Sequence, residues 1–176
     1  ITGWIKLNKH KIIQPIFYRM LKSIIGDKTF MEIIEYDKDV SRDGFVIDKI
    51  SKNPFKGIGI IEFRERFDEI MEYFAEKKKN KLDLIEEVMN EKEKVFSSAI
   101  PVYSSVLRPV SFKGEMFFHN SIDKKYNAIY SLTCSLNNFS ELNINKKKKK
   151  KRMDESTVLS SLQKKLMQLW DLIFLQ

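Results

Sequence analysis

Apolar residues recur at helical spacing over most of this chain. From Ile60 to Phe96 the pattern predicts a long helical stretch: Phe63, Phe67, Ile70 and Phe74 share one face. After the polar break EKKKNK, Leu82, Ile85, Val88 and Met89 resume it. Glu62 with Arg66, and Glu87 with Glu91, fall on the opposite, solvated side as ordinary helix surface. The last third is sharper. Asn120 or Ser121 can cap a helix in which Ile122, Tyr126, Ile129, Thr133 and Leu136 are spaced by four, three, four and three. Asp154 or Ser156 can cap a second, with Leu159, Leu162, Leu166, Leu169 and Ile173 spaced by three, four, three and four. Two matching seams joined by a polar connection predict an antiparallel hairpin packed like a coiled coil.

The first half is less regular. WIKL reads as a short strand, and IIQPIFYRMLKSIIG as a helix-like stretch interrupted by Pro15 and closed by Gly26. FMEIIEY predicts helix, DKDVSRDG a turn and FVIDKI a strand, before the loop SKNPFKGIG. Between the two halves lies IPVYSSVLRPV. Pro101 and Pro109 fix φ and remove two donors, so this strap is extended and cannot join a helix. The fold class is therefore mainly α with a few short strands. We divide it into a base at 1–99, a strap and loop at 100–120, and a helical hairpin at 121–176 with its tip near 143–153.

Composition narrows the function. With 43% hydrophobic and 12% aromatic residues the chain has the makings of a core. Its net charge is +8, but KKKKKKR, Lys146 to Arg152, carries seven charges, leaving +1 for the rest. Cationic character is concentrated at the hairpin tip, where it suits a local anionic contact or simple solvation. One cysteine, Cys134, excludes an internal disulfide and fits a reducing compartment such as cytoplasm. With only His10 and His119 beside it, a Cys/His zinc site is not expected. No apolar run is long enough to span a bilayer, and ITGWIKLNKHK lacks the features of a signal peptide. Gly57-Ile58-Gly59 reads as a backbone turn, since no phosphate-loop pattern surrounds it. No nucleophilic triad or tight aspartate cluster for Mg²⁺ is visible, so the chain is not a complete enzyme by itself. It closes on LMQLWDLIFLQ, within an apolar pattern, which reads as part of a longer polypeptide.

IPVYSSVLRPV resembles the LPV-PP-LRP signature of the largest, β′-like subunit of multisubunit DNA-directed RNA polymerases. In that family the signature leads into the lid loop and then the clamp helices. The order here is similar: Leu107-Arg108-Pro109, VSFKGEMFFHN, then SIDKKYNAIYSLTCSL, where Ile122, Tyr126, Ile129 and Leu136 match the family's D-L-N-D-L-Y-x-x-V-I pattern. LQKKLMQLWD resembles its LQ-x-x-V-x-x-L-x-D, and GWIKLNKHKIIQPIFYRML its GHIELA…P…HIWFLKSLPS. Departures are Ser104-Ser105 for the tandem proline, and Thr133 and Cys134 for asparagines of the first clamp helix. Divergence and Lys/Asn-rich composition look more like a large bacteriophage's enzyme than a cellular one.

The resemblance implies a clamp region whose lid, about Leu107 to Asn120, separates transcript from template. Met116, Phe117 and Phe118 would form an apolar wedge or pack on the clamp; Arg108, Lys113 and His119 would contact phosphates, Arg108 alternatively pairing with a clamp carboxylate and His119 alternatively standing as a solvated loop histidine. Lys146, Lys147, Lys148, Lys149, Lys150, Lys151 and Arg152 would touch DNA or an acidic promoter-specificity factor docked on the hairpin. Implied partners are β-like and further β′-like subunits, that factor, template DNA and RNA, with no membrane. No cofactor is expected in this segment; the catalytic Mg²⁺ would be held elsewhere in the assembly, in the host cytoplasm if the source is viral. A different class stays open: a helical adaptor with a basic hairpin tip, outside any enzyme.

Overall fold

The computed structural model describes residues 3–37, 53–103, 111–113, 116–118, 121–142 and 148–174, with side chains for 3–37, 53–103, 123–137 and 155–174. Among these the protein is mainly helical, with eight α-helices and short antiparallel strands.

The N-terminal segment forms β1 (Gly3–Lys6) and β2 (Ile12–Ile13). Both pair with strands almost a hundred residues away, β3 (Phe96–Ser97) and β4 (Ala99–Val102). Register sets Gly3 opposite Val102, Lys6 opposite Ala99, and Ile13 opposite Phe96. Leu7 N–H donates to Ser98 O and Gln14 N–H to Val95 O, so the two pairs read as one kinked ladder. Sequence spacing alone leaves β2 and β3 invisible, because each is two residues long.

Pro15 does not interrupt a helix; it starts one. In α1 (Pro15–Ile25) it occupies the first turn, where its missing N–H costs nothing. Phe17, Tyr18, Leu21, Ile24 and Ile25 are buried along one face. Gly26, at φ 101°, ends α1 and opens α2 (Asp27–Ile34); the Lys78 ammonium donates to Ile25 O at 2.7 Å and closes that end. The expected strand FVIDKI lies outside the described residues.

The predicted long helix over Ile60 to Phe96 is divided. It consists of α3 (Gly59–Glu65), α4 (Phe67–Lys77), a 3₁₀ turn (Lys79–Lys81), α5 (Leu82–Asn90) and α6 (Lys92–Val95), with Phe96 already in β3. The divisions let Phe63, Phe67, Ile70 and Phe74 all reach the core, where Phe30, Phe63, Phe67 and Phe96 make edge-to-face ring contacts. Gly57 (φ 80°) and Gly59 (φ 85°) form the expected backbone turn before α3.

The strap leads to a short hairpin, β5 (Ser111–Lys113) and β6 (Met116–Phe118), and then to α7 (Ser121–Leu142) and α8 (Lys148–Phe174). The helix α8 does not begin at an Asp154 or Ser156 cap; it begins at Lys148, and Ser156 lies buried in its flank. A lysine-rich start adds turns to a helix that packing has already fixed further along. The expected seam is present: Tyr126, Ile129, Thr133 and Leu136 of α7 are buried, as are Leu159, Leu162, Leu166 and Leu169 of α8. Each buried leucine contributes about 1.5–3 kcal/mol. Thr133 fits this seam because its hydroxyl donates back to Ile129 O. One hydrophobic core runs from Leu7 through α1–α5 to Leu169, so hairpin and base are packed together.

Candidate nucleic-acid interface

The strap is the hinge of the candidate site. Its first part, β4, is clamped between β1 and the root of the hairpin. The Tyr126 hydroxyl donates to Pro101 O at 3.1 Å and accepts from Tyr103 N–H at 3.0 Å. Pro101, opposite Trp4 in the ladder, lacks an N–H that the strand can do without at its edge. Burial raises the Tyr103 phenol pKa, and its ring meets Phe174 edge-on at 5.4 Å. The chain therefore leaves the core at a fixed point.

The candidate wedge is a β-hairpin by its backbone. Phe112 pairs with Phe117, Ser111 with Phe118 and Lys113 with Met116, so Lys113 and Met116 are brought together at the end of the ladder where the chain turns from β5 to β6. Arg108 and His119 lie outside the described residues, as do Lys146 and Lys147. Lys148, Lys149, Lys150, Lys151 and Arg152 form the first turns of α8. The 22 residues of α7 span about 33 Å, so the wedge enters one end of the hairpin and the basic run leaves the other. These two groups of candidate residues are separate contact regions.

Three buried or bridging polar contacts hold hairpin to base, and periodicity could not reveal them. Gln163, 1% exposed, accepts from Ile13 N–H at 2.6 Å and donates to Ile13 O at 2.8 Å. His10 Nε2 lies 3.3 Å from Glu155 Oε2, with both residues largely buried. Arg19 pairs with Asp171 on the surface. At the level of sequence, Gln163 stands on the leucine side of α8 and is the second residue of LQKKLMQLWD. Asn8 N–H also meets Asn137 Oδ1 at 3.5 Å, placing the Leu7–Lys11 loop across the half of the hairpin nearer its tip.

Elsewhere the electrostatics are structural. Arg66 donates two hydrogen bonds to Glu69, at 3.0 and 2.9 Å, and its guanidinium covers the Phe55 ring. This hydrogen bonding lowers the pKa of the Glu69 carboxyl and raises that of Arg66. Among the described residues no group of three or more His, Cys, Asp or Glu is placed to hold a metal ion. No described helix is long and apolar enough to cross a membrane. The chain matches no protein-family model and no curated protein.

Proposed function

We propose that this chain is the clamp and lid segment of a β′-like subunit of a multisubunit DNA-directed RNA polymerase. One observation carries the reading. Three polar residues on which the resemblance rests, Tyr126, Gln163 and Asp171, join distant parts of the chain. Tyr126 of the D-L-N-D-L-Y-like motif anchors the strap through Pro101 and Tyr103. Gln163 and Asp171 of the LQ-x-x-V-x-x-L-x-D-like motif hold Ile13 and Arg19, on either side of Pro15. A chance likeness of hydrophobic periods would have no reason to select these polar positions.

In this reading the anchored strap and the β5–β6 hairpin form a lid with a stiff base. Phe117 and Phe118 are the wedge that stands between transcript and template, offsetting part of the few kcal/mol needed to unstack a base step. Arg108, Lys113 and His119 serve nucleic-acid phosphates, and the hairpin with Lys146–Arg152 receives DNA or an acidic promoter-specificity factor. Nucleotidyl transfer and its Mg²⁺ belong to other chains of the assembly.

The test is to purify the protein from its native source and identify its companions by mass spectrometry. Large partners with a DFDGD-like aspartate motif are expected, and Phe117→Ala in that assembly should lengthen the RNA–DNA hybrid. A chain that purifies as a stable monomer overturns the assignment.

A further inference from the structure

The first 26 residues contain no acidic side chain, but five cationic ones: Lys6, Lys9, Lys11, Arg19 and Lys22. Three of them gather on one stretch. Strand β1 alternates, so that Trp4 and Lys6 point outward while Ile5 is partly covered; Trp4 is 54% exposed, unusual for a side chain that buries so much apolar area when it can. Lys9 and Lys11 are exposed on the loop that follows. None of the three lysines forms an ion pair among the described residues. The Glu155 carboxylate of α8 is occupied by His10, which lies between Lys9 and Lys11 and is itself buried.

The same contact fixes where this basic loop lies. Glu155 follows Lys148–Arg152 by three to seven residues on α8, about 5 to 10 Å along the helix axis. Asn8 on Asn137 holds the other side of the loop. The cationic start of α8 therefore continues into a second basic element, at whose far end stands an exposed indole.

We infer that Trp4, Lys6, Lys9 and Lys11 form a binding path for single-stranded nucleic acid. Lysines spaced along an extended segment follow a phosphate backbone, and an exposed aromatic ring supplies a stacking platform for a base. Duplex DNA hides its base faces and would have no use for Trp4. An anionic membrane would attract the lysines, but a single indole gives it little to bury. The inference goes beyond the polymerase reading and does not depend on it.

The test uses the whole chain and fluorescein-labelled oligothymidylate, followed by anisotropy over a range of salt. Lys6/Lys9/Lys11→Gln should weaken binding at least tenfold at low salt and flatten the log K against log salt slope by about 2, near 0.7 per phosphate lost. Trp4→Ala should cost fivefold or more with the slope unchanged. Neutralising Lys148–Arg152 should weaken binding yet leave the Trp4 effect in place. All four side chains are on the surface, so circular dichroism of each variant should match the parent. The inference is overturned if the triple variant binds like the parent, if Trp4→Ala has no effect, or if duplex DNA or phosphatidylserine vesicles bind as well as the single strand. Because the assay contains no companion subunit, its outcome is separate from that of the co-purification.

Discussion

The side-chain amide of Gln163 lies against the backbone of Ile13 as another strand would, accepting from its N–H and donating to its carbonyl. The two residues are 150 positions apart. In the ladder Ile13 stands opposite Phe96, and Gln163 meets the backbone groups turned the other way. Replacing it by alanine leaves two buried backbone groups without partners, each costing about 1–3 kcal/mol. Gln163→Ala should therefore lose about 2–5 kcal/mol in urea unfolding. Gln163→Glu should be worse at neutral pH and partly recover on acidification, since only the protonated acid can both accept and donate. Loss of less than 1 kcal/mol for the alanine variant would show that water replaces the amide.

Gly59 of α3 packs closely against Ser156 of α8. A Cβ on Gly59 would lie 2.5 Å from Ser156 Oγ and 3.1 Å from Tyr36, at a φ of +85°. Gly59→Ala should cost about 2–4 kcal/mol from left-handed strain of about 1–2 kcal/mol plus the clash. Ser156 Oγ is buried without a hydrogen-bond partner among the described residues, so Ser156→Ala alone should be neutral or stabilising. The double variant separates the costs: it should recover the stability lost to the Ser156 clash but not that lost to the strain.

Tyr126→Phe removes the hydroxyl that ties the strap at Pro101 and Tyr103. A stability loss of about 1–2 kcal/mol is expected. Backbone amide exchange should rise selectively at Tyr103 and along β4. Uniform acceleration through α7 and α8 instead would mean that Tyr126 serves the seam alone.

Tyr18 makes alkaline stability measurable at one residue. Its pKa is raised above the ordinary 10.0, first by burial and then by the Glu35 carboxylate. The folded state thus favours the neutral phenol. Its contribution is complete below the unfolded value, about pH 10, and is lost as pH climbs through the raised folded value. Urea midpoints of the parent and Tyr18→Phe, taken from about pH 8 to 11, should draw together as the parent loses this increment. A constant separation across that range would contradict the assignment.

The seam between α7 and α8 was legible because Leu159, Leu162, Leu166 and Leu169 repeat with the period of the helix they form. The start of the strap, at β4, was legible because Pro101 restricts its own dihedral angle whatever its surroundings; residues 104–110, with Pro109, lie outside the described residues. What escaped depends on residues far apart. Ile12 and Ile13 look like the approach to a helix until Phe96 and Ser97 pair with them. Pro15 looks like a break unless the helix is known to start there. Lys148–Arg152 has no apolar face, so nothing local announces the first turns of α8. Gln163, His10 and Glu155 act through buried pairing that no periodic pattern encodes. At the candidate site, the Lys113–Met116 juxtaposition needed the register of a hairpin, whereas the basic run was plain from composition.

The ladder between β1–β2 and β3–β4 also dictates an order of assembly. As the chain emerges in synthesis, Gly3–Ile13 has no strand to pair with until residue 102 has appeared, and Ile13 waits for Gln163 before its remaining backbone groups are met. Closing so long a loop is slow, whereas α1–α6 are built from local contacts. Helices form first, and the opening segment is locked last, under α8. Until Phe96 and Ser97 pair with them Ile12 and Ile13 form an unpaired, wholly apolar edge, and until Gln163 arrives the outer backbone groups of Ile13 stay open to misassociation.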